Sequence, residues 1–212
     1  IHPGRKIEGI SAVLLPFENN GQIDFDSFAQ NVKRTLDVGL APAVNMDTGY
    51  TNFLTPDERR RVLQSTRDVC GTRHFVAGAF VEGLNGDPLE LYRDAIEEIQ
   101  TAGGTPILFQ CSAFKKMSGT ELIESYQTIA ASCEKLLAFE LGEMFAPFGQ
   151  TYSLEIVGEL MRIPQIVGMK HSSLNRELEW KRLALRDEVR PEFKIYTGND
   201  LAIDMVMYGS DY

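Results

Sequence analysis

The chain has 212 residues, of which 43% are hydrophobic and 24% are charged, and its formal net charge at pH 7 is −9. This composition is typical of a globular protein and excludes a disordered or fibrous chain. The acidic excess argues against a nucleic-acid partner, because binding a polyanion needs clustered basic side chains and the longest such run is the three arginines at 59–61.

The spacing of apolar residues, cysteines and histidines excludes further classes. No apolar segment approaches the roughly 20 residues that span a bilayer, and residues 1–5 lack the apolar core of a secretion signal, so we expect a cytoplasmic protein without a membrane partner. The cysteines, Cys70, Cys111 and Cys133, and the three histidines are too scattered for a disulfide framework or a zinc site. We expect reduced thiols, no metal and no cofactor. Cys111 is either a buried structural thiol or a pocket residue.

Short apolar runs alternate with longer amphipathic stretches, which is typical of repeated βα units and a parallel sheet. Strands are predicted at residues 9–16, 42–45, 75–80, 106–110, 136–140, 166–170 and 194–197. Helices are predicted at residues 26–38, 56–70, 88–102, 120–133, 154–161, 176–186 and 201–208. Two helix starts are especially clear, because Thr55 and Asp87 each precede a proline and an acidic first turn.

These elements predict an α/β protein with a single domain over residues 1–212, since no linker or change of composition divides the chain. Seven βα units, without a GxGxxG fingerprint after the first strand, favour the (β/α)8 TIM barrel over an open doubly wound sheet. The sequence stops at Tyr212, where an eighth strand would begin, and such barrels run to about 250 residues. We therefore expect a barrel that is truncated before or within its eighth strand, with a C-terminal part missing.

Lys170 is the most informative residue of the chain. It ends the apolar run at 166–169, which belongs to the predicted sixth strand, and the carboxyl ends of parallel strands are where such folds place their active sites. A free lysine, with a pKa of about 10.4, is almost fully protonated at pH 7. Burial in an apolar barrel mouth lowers that pKa and makes the amine a nucleophile for a carbonyl carbon. The alternative is a strand-ending lysine that reaches into water.

Small polar clusters follow two other predicted strands and would meet Lys170 at the same edge of the sheet. After the second strand, Asp47, Thr48 and Gly49 offer a hydroxyl and backbone N–H groups that suit a substrate carboxylate, although Asp-Thr-Gly is also a common turn. After the seventh strand come Gly198 and Asp200, where a side chain also suits the N-cap of the following helix.

Five motifs occur along the chain in a recognisable order. They are Gly-Ile-Ser-Ala-Val-Leu-Leu-Pro-Phe at 9–17 with Gly-Gln-Ile-Asp after it, Asp-Thr-Gly-Tyr at 47–50, Leu-Thr-Pro-Asp-Glu-Arg at 54–59, Val-Gly-Met-Lys-His-Ser-Ser at 167–173 and Thr-Gly-Asn-Asp at 197–200. Over essentially its whole length, the sequence resembles the dihydrodipicolinate synthase and N-acetylneuraminate lyase family of Schiff-base-forming aldolases and dehydratases. The most specific match is the motif that contains the lysine.

The resemblance implies a function class and roles for the candidate site residues. It implies a Schiff-base-forming lyase in which Lys170 forms an imine with pyruvate or a related 2-keto acid. The residues that would bind this substrate are those of the two polar clusters: Asp47, Thr48, Gly49, Gly198 and Asp200. The resemblance also implies a small-molecule partner and a homo-oligomer, either a dimer or a tetramer.

The sequence departs from the family pattern in the residues that relay protons. The family uses a tyrosine after the fifth strand, a hydroxyl residue after the second and another tyrosine after the fourth. Here residues 140–145 contain no tyrosine, and Asp47 stands in place of the first threonine. Ala113 and Phe114 stand in place of the family's tyrosine-bearing pair after the fourth strand. The arginine often found after the fifth strand is replaced by Ala-Pro-Phe at 146–148. Three ionisable groups remain as candidates for proton transfer: Asp47, Glu143 and His171.

Two functions from different classes are consistent with these residues. The first is a divergent class I lyase, and the second is a catalytically impaired family member that acts as a ligand-binding or regulatory protein. The missing tyrosines favour the second function, whereas the retained Lys170 favours the first, because a buried lysine is costly to keep without a use. A metal-dependent class II aldolase on the same barrel would need a histidine cluster, which the sequence does not offer.

Overall fold

Seven parallel strands form one curled sheet in which each strand pairs with its neighbours in sequence. The computed structural model of the chain describes residues 4–212. The strands are β1 (Ile10–Ala12), β2 (Ala41–Val44), β3 (Val76–Ala79), β4 (Thr105–Leu108), β5 (Leu136–Leu141), β6 (Ile166–Ser172) and β7 (Lys194–Thr197). The α-helices are α1 (Phe25–Asp37), α2 (Pro56–Cys70), α3 (Pro88–Thr101), α4 (Gly119–Ala130), α5 (Leu154–Arg162) and α6 (Arg176–Val189), and a 3₁₀ helix follows at Asp200–Tyr208.

Each of the six α-helices begins at a side chain that accepts a hydrogen bond from the first helical turn. The capping residues are Asp24, Thr55, Asp87, Ser118, Ser153 and Asn175. Two of them form capping boxes, in which Glu58 and Glu121 bond back to Thr55 and Ser118. These caps explain why the first six predicted helices are confirmed. All seven predicted strands are confirmed as well.

The structure corrects several of the predicted boundaries. β1 ends at Ala12 and not at residue 16, α4 ends at Ala130 and not at residue 133, and α6 extends to Val189 instead of ending at residue 186. β6 continues two residues beyond Lys170, because the long strand β5 pairs with it as far as Leu141 and Ser172. Lys170 therefore lies within β6 and not at its end. The last predicted helix, at 201–208, is a 3₁₀ helix with a break at Ala202, where φ is −121° and ψ is 24°.

The two edges of the sheet both hydrogen-bond to Asp211 and Tyr212. On the β7 side, the Asp211 N–H donates to Ile195 O (2.7 Å), and the Asp211 carbonyl accepts from the N–H of Thr197 (2.9 Å). On the β1 side, the Tyr212 carbonyl accepts from the N–H of Ile10 (2.6 Å). In the part of the chain that the structure describes, these two residues occupy the place of an eighth barrel strand. The architecture is thus that of a TIM barrel as far as its seven strands extend.

Apolar side chains pack on both faces of the curled sheet, as is typical of a parallel sheet covered by helices. The outer cluster lies between the sheet and the helices. The inner cluster lies within the curl and consists of Ala43, Met46, Val76, Phe80, Ile107, Phe109, Leu137, Phe139, Leu141, Ala146 and Tyr196. None of the helices within residues 4–212 has both the length and the apolar character of a membrane span.

A buried ion-pair cluster of Glu140, His171 and Arg182 joins β5, β6 and α6 on the outer face of the sheet. Arg182 donates from Nε and Nη2 to the two Glu140 carboxylate oxygens (2.6 and 2.7 Å), and His171 Nδ1 lies 2.8 Å from Glu140 Oε2. Each of the three residues is at most 1% exposed. Burial alone raises the pKa of the Glu140 carboxyl, but the hydrogen bonds from His171 and Arg182 outweigh it and bring the pKa below its ordinary value.

Replacing Arg182 by Met will test this cluster, because the change leaves a carboxylate buried without its main partner. We expect the free energy of unfolding at pH 7 to fall by about 3–5 kcal/mol, measured by urea denaturation. The matched control is Arg162→Met, whose exposed pair with Glu159 has a length of 2.9 Å and contributes under about 1 kcal/mol.

The lowered pKa of Glu140 also predicts how the effect of Arg182→Met on the free energy of unfolding changes with pH. A carboxyl whose pKa is lowered on folding stabilises the folded state above its unfolded pKa of about 4.3, and this stabilisation is lost as the pH falls. The gap in unfolding free energy between the parent and Arg182→Met is therefore expected to narrow in acid. A loss no larger than that of Arg162→Met would contradict the role given to the cluster.

Candidate functional site

Lys170 projects from β6 into the interior of the curled sheet. Successive side chains of a strand point to opposite faces, so Lys170 points inward while His171 points outward to Glu140. The Lys170 side chain is only 21% exposed, and its Nζ lies 4.3 Å from the centre of the Phe139 ring. It lines a cavity of about 50 Å³ together with Ile10, Ala12, Ala43, Met46, Val76, Ile107, Leu137, Tyr196, Thr197 and Tyr212. Lys170 thus does not simply reach into bulk water.

Two carboxylates oppose the effect of burial on the pKa of Lys170. Burial lowers the pKa of Lys170, whereas the negative charges of Asp47 and Asp200 raise it, and the net pKa lies below the ordinary value. The nearer carboxylate is that of Asp47, whose Oδ1 lies 4.0 Å from Nζ. At any given pH, Lys170 is consequently neutral, and able to attack a carbonyl, more often than an exposed lysine.

Gly198 makes room for the Lys170 side chain where β7 ends. A Cβ atom at this position would lie 2.8 Å from Lys170 Cε and 2.2 Å from Ser172 Oγ, closer than real contacts allow. The Gly198 N–H donates to the His171 carbonyl (3.0 Å), which holds the chain against β6. A glycine is required here because the backbone passes directly over the Lys170 side chain.

The turn after β2 places Asp47 beside Lys170. The next two residues of this turn, Thr48 and Gly49, differ in their exposure. Thr48 is exposed on this 3₁₀ turn, whereas Gly49 is buried against Val13, the residue after β1, whose carbonyl oxygen lies 3.1 Å from where a Cβ of Gly49 would be. The Gly49 N–H already donates to the Met46 carbonyl (3.0 Å). The Gly49 amide is therefore engaged within the turn, whereas the Thr48 side chain is exposed.

Asp200 begins the 3₁₀ helix after β7, which Asn199 caps by accepting from the Leu201 N–H (3.0 Å). Asp200 accepts a hydrogen bond from the Tyr212 hydroxyl. This bond, together with partial burial, raises the pKa of Tyr212 to about 12. Asp200 is exposed at the mouth, and its charge acts on Lys170.

Sequence reasoning missed two tyrosines that line the cavity beside Lys170. Tyr196 is the direct partner of Lys170 in the pairing of β6 with β7, and the two-residue strand period from Gly198 was the signal that could have identified it. The sequence gives no such signal for Tyr212, because the position of Tyr212 beside the cavity depends on how the sheet curls.

Of the three candidates for proton transfer, only Asp47 lies beside Lys170. His171 is held on the outer face by Glu140, and Glu143 is exposed and pairs with Lys115. Cys111 is buried in the outer cluster and does not line the cavity. Within residues 4–212, no group of three or more His, Cys, Asp or Glu side chains is arranged to hold a metal ion.

Replacing Asp47 by Asn will test the electrostatic balance at Lys170. Removal of the carboxylate charge leaves burial less opposed, so we expect the pKa of Lys170 to fall by about one pH unit. The measurement is the rate at which an amine-reactive reagent labels Lys170, followed against pH by peptide mass spectrometry. Asp57→Asn, which removes an exposed carboxylate on α2, should leave the midpoint unchanged. An unchanged or higher midpoint in Asp47→Asn would show that Asp47 does not act on Lys170.

Replacing Gly198 by Ala will test the close passage of β7 over Lys170. We expect a loss of about 1–3 kcal/mol in unfolding free energy and a higher Lys170 pKa, because the side chain is pushed toward water. Gly119→Ala is the control, since a Cβ there meets only Ile156 side-chain atoms at 3.8 Å. Equal stability and an equal labelling midpoint in the two variants would rule out the contact.

Comparison with known proteins identifies the family. The family model described as the Dihydrodipicolinate synthetase family matches residues 6–211. The 4-hydroxy-tetrahydrodipicolinate synthase of Kosmotoga olearia is 30% identical over 207 residues, which cover 95% of this chain and 67% of that protein. The synthase of the same name from Methanococcoides burtonii is 27% identical, with 91% and 64% covered. The chain therefore spans about two thirds of the length of these curated relatives.

Solved structures share the fold at lower sequence identity. A prophage protein of the dihydrodipicolinic acid synthase family from E. coli K12, determined in complex with pyruvate, superposes with a TM-score of 0.84 and 17% identity, covering 97% of this chain and 68% of that one. The N-acetylneuraminate lyase of Mycoplasma synoviae superposes with a TM-score of 0.75 and 15% identity, with the same coverage. By its sequence match and its fold, the chain belongs to the dihydrodipicolinate synthetase family.

Proposed function

We propose that the chain acts as a Schiff-base-forming lyase, an aldolase or a dehydratase, on pyruvate or a related 2-keto acid. The observation that carries this proposal is the position of Lys170, whose amine is enclosed by the sheet and has a lowered pKa. Family membership supports it, since one solved relative is named for its complex with pyruvate and another is a lyase.

In the proposed reaction, the neutral Lys170 amine attacks the C2 carbonyl of the 2-keto acid. The carbinolamine loses water and leaves a protonated imine, which withdraws electrons from C3, so that C3 releases a proton and an enamine forms. The Asp47 carboxylate, 4.0 Å from Nζ, would stabilise the positive charge of the imine. Asp47 is also the carboxylate that could exchange protons with the imine and enamine, directly or through one water.

Asp47 thereby replaces hydroxyl groups that the family pattern leads one to expect. Phe114 lies where the family has its tyrosine-bearing pair. Its side chain is 1% exposed and packs in the outer cluster with Tyr92 and Tyr126. The second polar pair at the mouth is Asp200 with the Tyr212 hydroxyl. We infer that proton transfer in this chain uses these carboxylates in place of the tyrosines at the positions of the family pattern.

The remaining predicted residues divide between binding the substrate and shaping the site. The exposed Thr48 hydroxyl would bind the substrate carboxylate, and Asp200 would contact the distal polar part. Gly49 and Gly198 would contribute by shape, since Gly49 packs against the Val13 carbonyl and Gly198 leaves space for the Lys170 side chain.

Trapping with sodium borohydride tests the proposal directly. Incubation of the chain with pyruvate and borohydride should give one covalent adduct, which mass spectrometry of the peptides assigns to Lys170. Lys170→Met should lose the adduct completely, because no other amine in the cavity is poised to form it. Lys115→Met, which removes a lysine from the loop after β4, should retain it. Absence of an adduct with any 2-keto acid, or an adduct on a different lysine, would refute the role of Lys170.

The alternative function is a ligand-binding or regulatory protein that has lost catalysis. The replaced tyrosine positions favour it, and the same variants separate it from the enzyme. For a binder, pyruvate affinity measured by calorimetry would be the same in the parent and in Lys170→Met, and neither would turn over. For the lyase, the substitution should abolish trapping and turnover together.

A further inference from the structure

We propose that the 2-keto acid that condenses with Lys170 carries a short alkyl group on C3, so that 2-oxobutanoate is taken at least as well as pyruvate. This inference rests on the proposed function and specifies its substrate class. It comes from the cavity of about 50 Å³ that Lys170 lines, because the side chains around this cavity determine which part of a 2-keto acid can enter it.

The cavity extends beneath the Lys170 amine, toward the amino ends of the strands. Two of its lining residues, Leu137 and Ile107, pair with each other, and Leu137 also pairs with Gly168, two residues before Lys170 on β6. These side chains therefore lie one layer below Lys170 within the curled sheet. Asp47 lies on the opposite side of the amine, in the turn after the carboxyl end of β2.

The walls of the cavity are apolar. Besides Lys170, the residues that depart from this pattern are three with hydroxyl groups: Tyr196, Thr197 and Tyr212. Thr197 Oγ1 donates to Glu179 (3.1 Å), and the Tyr212 hydroxyl donates to Asp200. Burial and a hydrogen bond to Glu8 raise the pKa of the Tyr196 hydroxyl. All three hydroxyl groups are thus engaged by carboxylates of residues that do not line the cavity.

These walls determine which substituent of the substrate faces the cavity. In the imine with Lys170, C2 carries the C1 carboxylate and the C3 carbon. A carboxylate turned into the cavity would lose its hydration without gaining hydrogen bonds from the walls, which strongly disfavours that orientation. The carboxylate therefore faces the mouth, where Thr48 is exposed, and the chain that extends from C3 faces the cavity.

The volume of the cavity limits the length of that chain. One water takes up about 30 Å³ in the liquid, so a cavity of about 50 Å³ has room for one or two groups of similar size. The small side chains of Ala12 and Ala43 leave this room, whereas the larger ones of Leu137 and Ile107 limit it. Interiors are close-packed, so a longer chain would overlap with these walls.

The added carbon takes no part in the bonds that form and break. The Lys170 nitrogen bonds to C2, and the carbonyl oxygen leaves as water. C3 of 2-oxobutanoate still carries two hydrogens, so it releases one of them as a proton and the enamine forms as it does with pyruvate. These steps balance without an oxidant or a reductant.

Competition for borohydride trapping tests the inference. Each of three acids is mixed with an equal concentration of pyruvate, and mass spectrometry separates the two adducts on Lys170. 2-Oxobutanoate would place a methyl group in the cavity, 3-hydroxypyruvate a hydroxyl group of similar size, and 2-oxohexanoate a chain too long for it. We expect the 2-oxobutanoate adduct to exceed the pyruvate adduct about fourfold, because one more carbon is buried. The other two adducts should fall at least about tenfold below that of pyruvate.

Removal of one wall should move the length limit. Leu137→Ala removes most of a side chain that lines the cavity, so the ratio of 2-oxohexanoate to pyruvate adducts should rise about tenfold. Leu136→Ala is the matched control, because this neighbouring leucine of β5 is also buried but belongs to the outer cluster, and it should keep the ratio of the parent. Circular dichroism verifies that both variants fold.

A substitution that fills the cavity has the opposite effect. In Ala43→Val, the 2-oxobutanoate adduct should fall to or below the level of the pyruvate adduct, because the added methyl groups take up the space of the substrate chain. This variant and the competition in the parent decide the question if the leucine variants do not fold.

The outcomes separate this inference from the function on which it depends. If pyruvate is trapped on Lys170 and outcompetes 2-oxobutanoate, or if 3-hydroxypyruvate or 2-oxohexanoate is trapped as well as pyruvate, the inference is overturned and the proposed function stands. Equal adduct ratios in Leu137→Ala and Leu136→Ala also overturn it. If none of the four acids is trapped on Lys170, both are overturned.

Discussion

The placement of Lys170 depends on the burial of Glu140 between Arg182 and His171. Side chains alternate along a strand, so the pairing of His171 with Glu140 on the outer face determines that Lys170 faces the interior. A slip of one residue in β6 would bury the lysine among the helices and turn the imidazole toward the cavity. The ion-pair cluster on the helix side of the sheet thus specifies that Lys170 faces the cavity on the opposite side, although none of the three cluster residues lines that cavity.

Inside the sheet, two opposing effects set the state of the amine. Burial favours the neutral form, and the carboxylates of Asp47 and Asp200 favour the ammonium. In the proposed reaction the protonated imine is a cation, so the carboxylates that hinder deprotonation of the lysine would also stabilise this intermediate. The Phe139 ring, whose centre lies 4.3 Å from Nζ, is fully buried and keeps water from that side of the amine.

Most of the fold was predictable, because its signals are local. Proline and acidic residues after Thr55 and Asp87 mark helix starts, and short apolar runs mark buried strands. The end of β6 was not predictable, since it depends on how far β5 runs beside it. In the site, Lys170 and Asp47 were predicted and lie together, whereas the roles of Gly49 and Tyr212 follow from contacts between segments far apart in sequence. Periodicity reports the face of a residue but not its partner across the sheet.

The junction at Asp211 and Tyr212 has a consequence for how the chain folds. Arg5 bonds to Asp211 across a separation of 206 residues, and Ile10 bonds to Tyr212 beside it. Contacts of such long range carry the largest loop-closure entropy and form after neighbouring βα units have assembled. We therefore expect the side of the cavity that Ile10 and Tyr212 line to be completed late in folding, after the strands beside Lys170 have paired.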